Sequence, residues 1–393
     1  VSTDSLFSHD RIDMSVLRRR AYNLRWATLP PDCIALTASE PDFPVASEIT
    51  DAIRDYVAAG YLNYGSEPGL PEFRNAAANA ARERWGLDWG PESILATDSG
   101  AAALFTTARF ALDPGDDAIV FDPVDFLFGA AVRAARANVV YSPVDPHTGE
   151  FDLDAVGSVV TPRTKLLCIC NPHNPLGRVM TKDELEAVAA VAVEHDLWIL
   201  SDHIWSDVVY EPAKHVSVSS LGPEIAKRTI TAFGFSKSYG LAGLRIGFLV
   251  AHPDVMPELY EASLAPTTAF GAATISQIAA TAALERADAW FQAFLAHLRT
   301  VRDYSVERLN AMSGVSCINP EATYLLFPDI SSFGMTSTEM SDYLLEKGRV
   351  AVVPGITRWF GPGSEGHIRI PFATSHEIMR DGLDRIENAL HAL

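Results

Sequence analysis

One lysine, Lys237, stands at the end of an apolar run in the stretch AFGFSKSYGLAGLRIGF (232–248). Ser236 precedes it, Arg245 follows eight residues on, and glycines fill the interval. A surface lysine needs no such setting. A lysine that attacks a carbonyl must first lose its proton, and a dry pocket or a neighbouring positive charge lowers its pKa to allow this. The stretch therefore suits a lysine that forms a Schiff base with an aldehyde, with Arg245 and Ser236 able to hold an anionic phosphate. Taken alone it also fits an exposed lysine after a strand.

Three further motifs bear on that choice. LWILSD (197–202) ends an apolar run in Asp202, a carboxylate that is costly to bury without a partner. A cofactor with a protonated pyridine nitrogen would supply one, and a helix cap for IWSDVV is the other reading. CNPHNPLG (170–177) carries two Asn-Pro pairs and a glycine, which fix a rigid non-helical turn and present the amide of Asn174. TDSGAAALF (97–105) places Ser99, Gly100 and Ala101 before a helical pattern, where free backbone N–H groups and the helix dipole favour a phosphate.

The elements that must position these residues are legible between about 90 and 250. Short β-like runs (AIVFD, NVVYS, KLLCIC, LWILSD, RTITAF, IGFLVA) alternate with alanine-rich helical stretches. One of these, TKDELEAVAAVAVEHD, opens on a capping box, Thr181 with Glu184 three residues later. Such alternation predicts an α/β sheet with helices on both faces, and ligands bind such sheets beyond the carboxyl ends of the strands. After 265 the pattern changes to long helices and then to a mixed tail with strand candidates TYLLF, RVAVVP and HIRIPF. The expected organisation is an N-terminal segment (1–45) packing with a small C-terminal domain (291–393), and a large domain over 46–290.

Composition narrows the class. The 393 residues carry 50 acidic against 31 basic side chains, a net charge of −19, which disfavours a nucleic-acid partner. Of the four cysteines, Cys168 and Cys170 lie in a buried-strand pattern, and Cys33 and Cys317 stand apart from any ligand spacing. Reduced core cysteines in a cytoplasmic protein, with no metal, are the expectation. No signal-peptide pattern opens the sequence and no apolar run approaches membrane-spanning length, so no membrane partner is expected.

In this order and spacing the four motifs resemble the fold-type I pyridoxal-phosphate (PLP) enzymes of the class I/II aminotransferase superfamily, from SEPDFP to HIRIPF. That resemblance implies a large domain with a mostly parallel seven-stranded sheet between helices, plus a smaller α+β domain. It implies Lys237 as the residue bound to PLP, Asp202 as partner of its ring nitrogen, and Asn174 as donor to its phenolate oxygen. Ser236, Arg245 and the Ser99-Gly100-Ala101 turn would bind the phosphate. Tyr64, in LNYGSEPG, would reach the phosphate of a neighbouring subunit in a homodimer, and Arg369, in HIRIPF, would clamp the α-carboxylate of an amino-acid substrate.

Within the superfamily, NPHNPLGRVMTKDEL and the stretch from Ser201 resemble the MalY/PatB-type cystathionine β-lyases. Trp205 stands where aminotransferases carry a tyrosine, and its indole N–H could still donate to the phenolate oxygen. In PVDFLF (123–128), Asp125 falls where an aromatic ring stacks on the cofactor, while Phe128 keeps its place. Either Phe126 stacks instead, or Asp125 faces the substrate. His203 is read as structural, and Arg358 with Trp359 as lining the substrate mouth. The reaction expected from these stretches is C–S β-elimination from an S-substituted cysteine. Aminotransfer, or a specialised decarboxylating or cyclising PLP reaction, is the alternative. A catalytically silent regulator is disfavoured by the presence of Lys237, Asp202, Asn174, Arg245 and Arg369 together.

Overall fold

The computed structural model describes residues 6–393; the first five residues of the expected N-terminal segment lie outside them. Seven strands form the central sheet: β1 (Ile94–Thr97), β2 (Asp117–Asp122), β3 (Asn138–Pro143), β4 (Thr164–Cys170), β5 (Trp198–Asp202), β6 (Thr229–Gly234) and β7 (Gly247–Val250). Their order is β1-β7-β6-β5-β4-β2-β3. Neighbours from β6 through β3 run parallel, whereas β7 is antiparallel to both β6 and β1.

Period-two alternation explains why this sheet is covered on both sides. In β4, Leu166, Cys168 and Cys170 enter the core beneath helices Gly100–Ala111 and Phe126–Ala134, while Leu167 and Ile169 enter the core beneath helix Lys182–Glu194. Cys168 and Cys170 are free and buried, and burial drives both thiols above their ordinary pKa. The capping box of Thr181 and Glu184 opens helix Lys182–Glu194 as the sequence predicts.

Two details depart from the strand pattern in the sequence. The edge strand β1 follows directly on the short turn Pro91–Ser93, so its four residues do not stand out as a separate run. RVAVVP is divided: Val350–Ala351 pairs in parallel with Ile34–Ala35, and Val353–Pro354 pairs antiparallel with Ile368–Pro371. The last of these strands also pairs with Leu325–Leu326 and carries Arg369. Helices Thr274–Arg286 and Asp288–Ala311 supply the long helical stretch. Among the described residues no helix is long and apolar enough to cross a membrane, and no group of three or more His, Cys, Asp or Glu side chains is placed to hold a metal ion.

Candidate active site

The carboxyl ends of β4, β5 and β6 open into a cavity of about 610 Å³. Lys237 reaches it from a single helical turn, Phe235–Ser238, that follows β6 at once. Its Nζ donates to the Ser39 carbonyl at 2.9 Å and lies 5.4 Å from the centre of the Trp205 ring. Burial, reinforced by the charge of Arg369, brings the ammonium pKa down to about 8. Asp202 is the last residue of β5 and 7% exposed; one carboxylate oxygen accepts from the Ile204 N–H at 3.0 Å. Burial raises its pKa to about 7, and nearby Asp125 pushes the same way.

Asn174 links two other wall residues. Its Nδ2 donates to Asp125 Oδ2 at 2.7 Å, and its Oδ1 accepts from Arg369 Nη1 at 3.2 Å. The turn that presents Asn174 is tied down on both sides: Met180 N donates to Asn171 Oδ1 at 2.9 Å and Gly177 N to the His173 carbonyl at 2.7 Å. Arg369 also donates to the Thr37 carbonyl and lies over the Phe360 ring, 5.0 Å from its centre. Burial lowers its pKa to about 10, and its buried Nε has no hydrogen-bond partner among the described residues.

The other end of the cavity is lined by a helix start, a serine and an arginine, groups that could hold an anion. Ser99 caps helix Gly100–Ala111, its hydroxyl accepting from the Ala102 N–H at 3.0 Å, and Gly100 and Ala101 follow on the same wall. Three glycines bring this helix start against the sheet. A Cβ on Gly247 would lie 2.5 Å from the Phe233 carbonyl oxygen and 2.7 Å from Gly100 N, and one on Gly234 would lie 3.0 Å from Gly100 N. Ser236 and Arg245 complete the wall, Arg245 with a left-handed backbone at φ 50°. Trp205 lines the cavity too, buried edge-on against Tyr324.

Some expected residues stand elsewhere. Tyr64 is 86% exposed, packs on Phe270 at 5.3 Å, and is not on this chain's cavity wall. Asp125 and Phe126 both line the cavity, Phe126 38% exposed and edge-on to Trp359. Phe128 is buried in the core behind them. Arg358 lies over Trp359, 4.9 Å from its ring centre, and only Trp359 reaches the wall. His203 is off the cavity wall, wedged edge-on between Trp85 and His215, with both ring nitrogens buried and without a hydrogen-bond partner among the described residues and its pKa held low by burial. Wall residues not foreseen individually include Ser39 and Glu40, although both lie in the quoted SEPDFP, and Arg20, Tyr22 and Phe360.

Residues 31–386 match the family described as Aminotransferase class I and II. The chain is 35% identical over 364 residues to an aspartate/prephenate aminotransferase of Thermus thermophilus, covering 91% of each protein. Its fold superposes on the aromatic aminotransferase of Pyrococcus horikoshii with a TM-score of 0.86 at 31% identity, over 92% of this chain and 96% of the other. On a PLP-bound putative aminotransferase of Clostridium difficile the TM-score is 0.88 at 25% identity, over 95% and 97%. These relatives carry aminotransferase names, so the narrower leaning towards cystathionine β-lyases does not extend to them.

The donor set fits PLP on its own terms. A buried lysine with a lowered pKa faces the same cavity as a buried carboxylate with one engaged oxygen, and a glycine-lined helix start lies beside an arginine. With the family match spanning most of the sequence, the chain belongs to the class I and II aminotransferases, enzymes that work with pyridoxal 5′-phosphate.

Proposed function

We propose that this protein transfers the amino group of an α-amino acid to a 2-oxo acid. The observation that supports it is convergence: Lys237, Asp202, Asn174 and Arg369 come from three strand ends and a separate small sheet, yet line one cavity. The names of the relatives favour transfer over the C–S elimination expected from NPHNP and Trp205.

When bound, PLP supplies an aldehyde that condenses with amines and a pyridinium ring that withdraws electrons from the substrate Cα. Asp202 would hold the proton on the ring nitrogen, and Asn174 and Trp205 would donate to the phenolate oxygen. Ser99, Gly100, Ala101, Ser236 and Arg245 would hold the phosphate. Arg369 would bind the α-carboxylate through two parallel N–H groups. Lys237 Nζ then takes the proton from Cα, a task suited to a pKa near neutrality. Trp205 offers a donor but no acid, so Lys237 would also deliver that proton to the former aldehyde carbon of PLP, as net amino transfer requires.

Tyr64 belongs to the same proposal at one remove. Its exposure, beside exposed Phe270, suits a role in the site of a second copy, as in a homodimer with shared sites. Lys237→Ala tests the core of the reading: the PLP-loaded protein should lose its visible absorption band and its amino transfer to a 2-oxo acid by about three orders of magnitude or more. Transfer at undiminished rate by this variant would sink it.

A further inference from the structure

Once the cofactor and the α-carboxylate are assigned their partners, the cavity retains charges assigned to neither. Arg245 serves the phosphate, Lys237 the aldehyde, Asp202 the ring nitrogen and Arg369 the carboxylate. Asp125 and Glu40 remain, two carboxylates on the same wall, and neither has an ion-pair partner among the described residues. Both lie close enough to Lys237 to act on its charge. Arg20 also lines the cavity, but as the exposed last residue of helix Met14–Arg20.

Asp125 is held in place. One oxygen caps helix Phe126–Ala134 by accepting from the Leu127 N–H at 3.0 Å, and the other accepts from Asn174 Nδ2 at 2.7 Å. A carboxylate has about four acceptor positions, so two remain for a ligand. Through Asn174 the group is one hydrogen-bonded residue removed from Arg369. A substrate seated on Arg369 therefore places its side chain near a fixed negative charge, with the rings of Phe126 and Trp359 beside it to cover an aliphatic stem.

We infer that Asp125, together with Glu40, selects amino acids whose side chain carries a positive charge. The inference rests on the aminotransferase reading for the seat of the α-carboxylate. A dicarboxylic amino acid would bring its second carboxylate towards two like charges, which disfavours it. A charge-assisted hydrogen bond to a fixed carboxylate favours a cationic ligand over its neutral isostere by about tenfold or more.

The test uses the PLP-loaded protein and reads the shift of the cofactor's visible band on titration, which needs no acceptor. 2,4-Diaminobutyrate is compared with norvaline, ornithine with norleucine, and aspartate is added as the anionic member. The cationic member of each pair should half-saturate at a concentration at least about tenfold lower. That ratio should fall towards one in Asp125→Asn, which keeps a helix cap and an acceptor for Leu127 N–H, and should shrink in Glu40→Gln. Aspartate or the neutral isosteres saturating first, or a ratio unmoved by Asp125→Asn, would overturn the inference. If Asp125→Asn fails to take up PLP, the wild-type ratio decides, since a value of one or below overturns it. A parallel assay of amino transfer separates the two claims. A high ratio without transfer removes the reaction class and leaves the selectivity standing; transfer with a ratio of one does the reverse.

Discussion

The single residues proposed to carry the chemistry are held by the fold out of their ordinary protonation. Asp202 is the sharpest case, with a folded pKa of about 7 against 3.8 for a free side chain, burial being the main cause. The folded chain thus keeps this proton more tightly than the unfolded chain, so the group favours folding in acid. That contribution is lost as pH rises from about 4 to about 7. Asp202→Asn should therefore stabilise the cofactor-free protein at pH 8 by on the order of 2–4 kcal/mol. The gain should vanish near pH 4, as thermal melts at the two pH values would show. The same variant should lose about 10²–10³-fold in turnover once loaded, because the ring nitrogen loses its carboxylate. A variant no more stable at pH 8 would mean that the carboxylate is not penalised by its site. Lys237, Asp202 and Asn174 were legible because each is a chemically distinctive residue just after or at the end of an apolar run, whereas Arg369, inside the strand Ile368–Pro371, was legible only through the family resemblance of HIRIPF. Ser39 was not, because it acts through its carbonyl, and a carbonyl leaves no mark on residue type.

At the scale of elements, the site depends on how closely the start of helix Gly100–Ala111 approaches the sheet. Gly247 is the tightest point, since an added Cβ would meet backbone atoms that cannot rotate aside. Gly247→Ala should cost about 1–3 kcal/mol and weaken PLP binding by pushing the phosphate-facing turn outward. Equilibrium unfolding and PLP titration would check it, and an unchanged affinity would separate the helix start from the phosphate. The sequence marked most of the sheet, because buried parallel strands read as short apolar runs between helical patterns. It did not reveal β1, four residues continuous with a turn, nor the reversal of β7. Strand direction depends on pairing partners distant in sequence, and composition does not encode it. RVAVVP reads as one strand yet serves two sheets for the same reason.

For the whole molecule we propose the division suggested by the sequence: a large domain over 46–290, and a small one over 291–393 joined by the N-terminal segment. The pairing of Ile34 with Val350 supports that last association. Tyr64, Phe270, Leu264 and Phe105 leave large apolar surfaces exposed, and a second copy is the proposed cover. Sedimentation should show a dimer, and Tyr64→Phe should lower PLP affinity about tenfold without dissociating it; a monomer with full PLP affinity would remove Tyr64 from the site. The net charge of −19 bears on solubility and not on any of these choices. Amino transfer is the proposal that the cavity, the names of the relatives and the buried Lys237 support together, and one measurement addresses it directly. The PLP-loaded protein is incubated with amino acids, including S-substituted cysteines, and oxo acid and thiol are counted per active site, first without and then with a 2-oxo acid acceptor. Transfer requires no more than about one oxo acid per site without acceptor and many once acceptor is present. Many turnovers of pyruvate and thiol without any acceptor would contradict it and restore the C–S lyase.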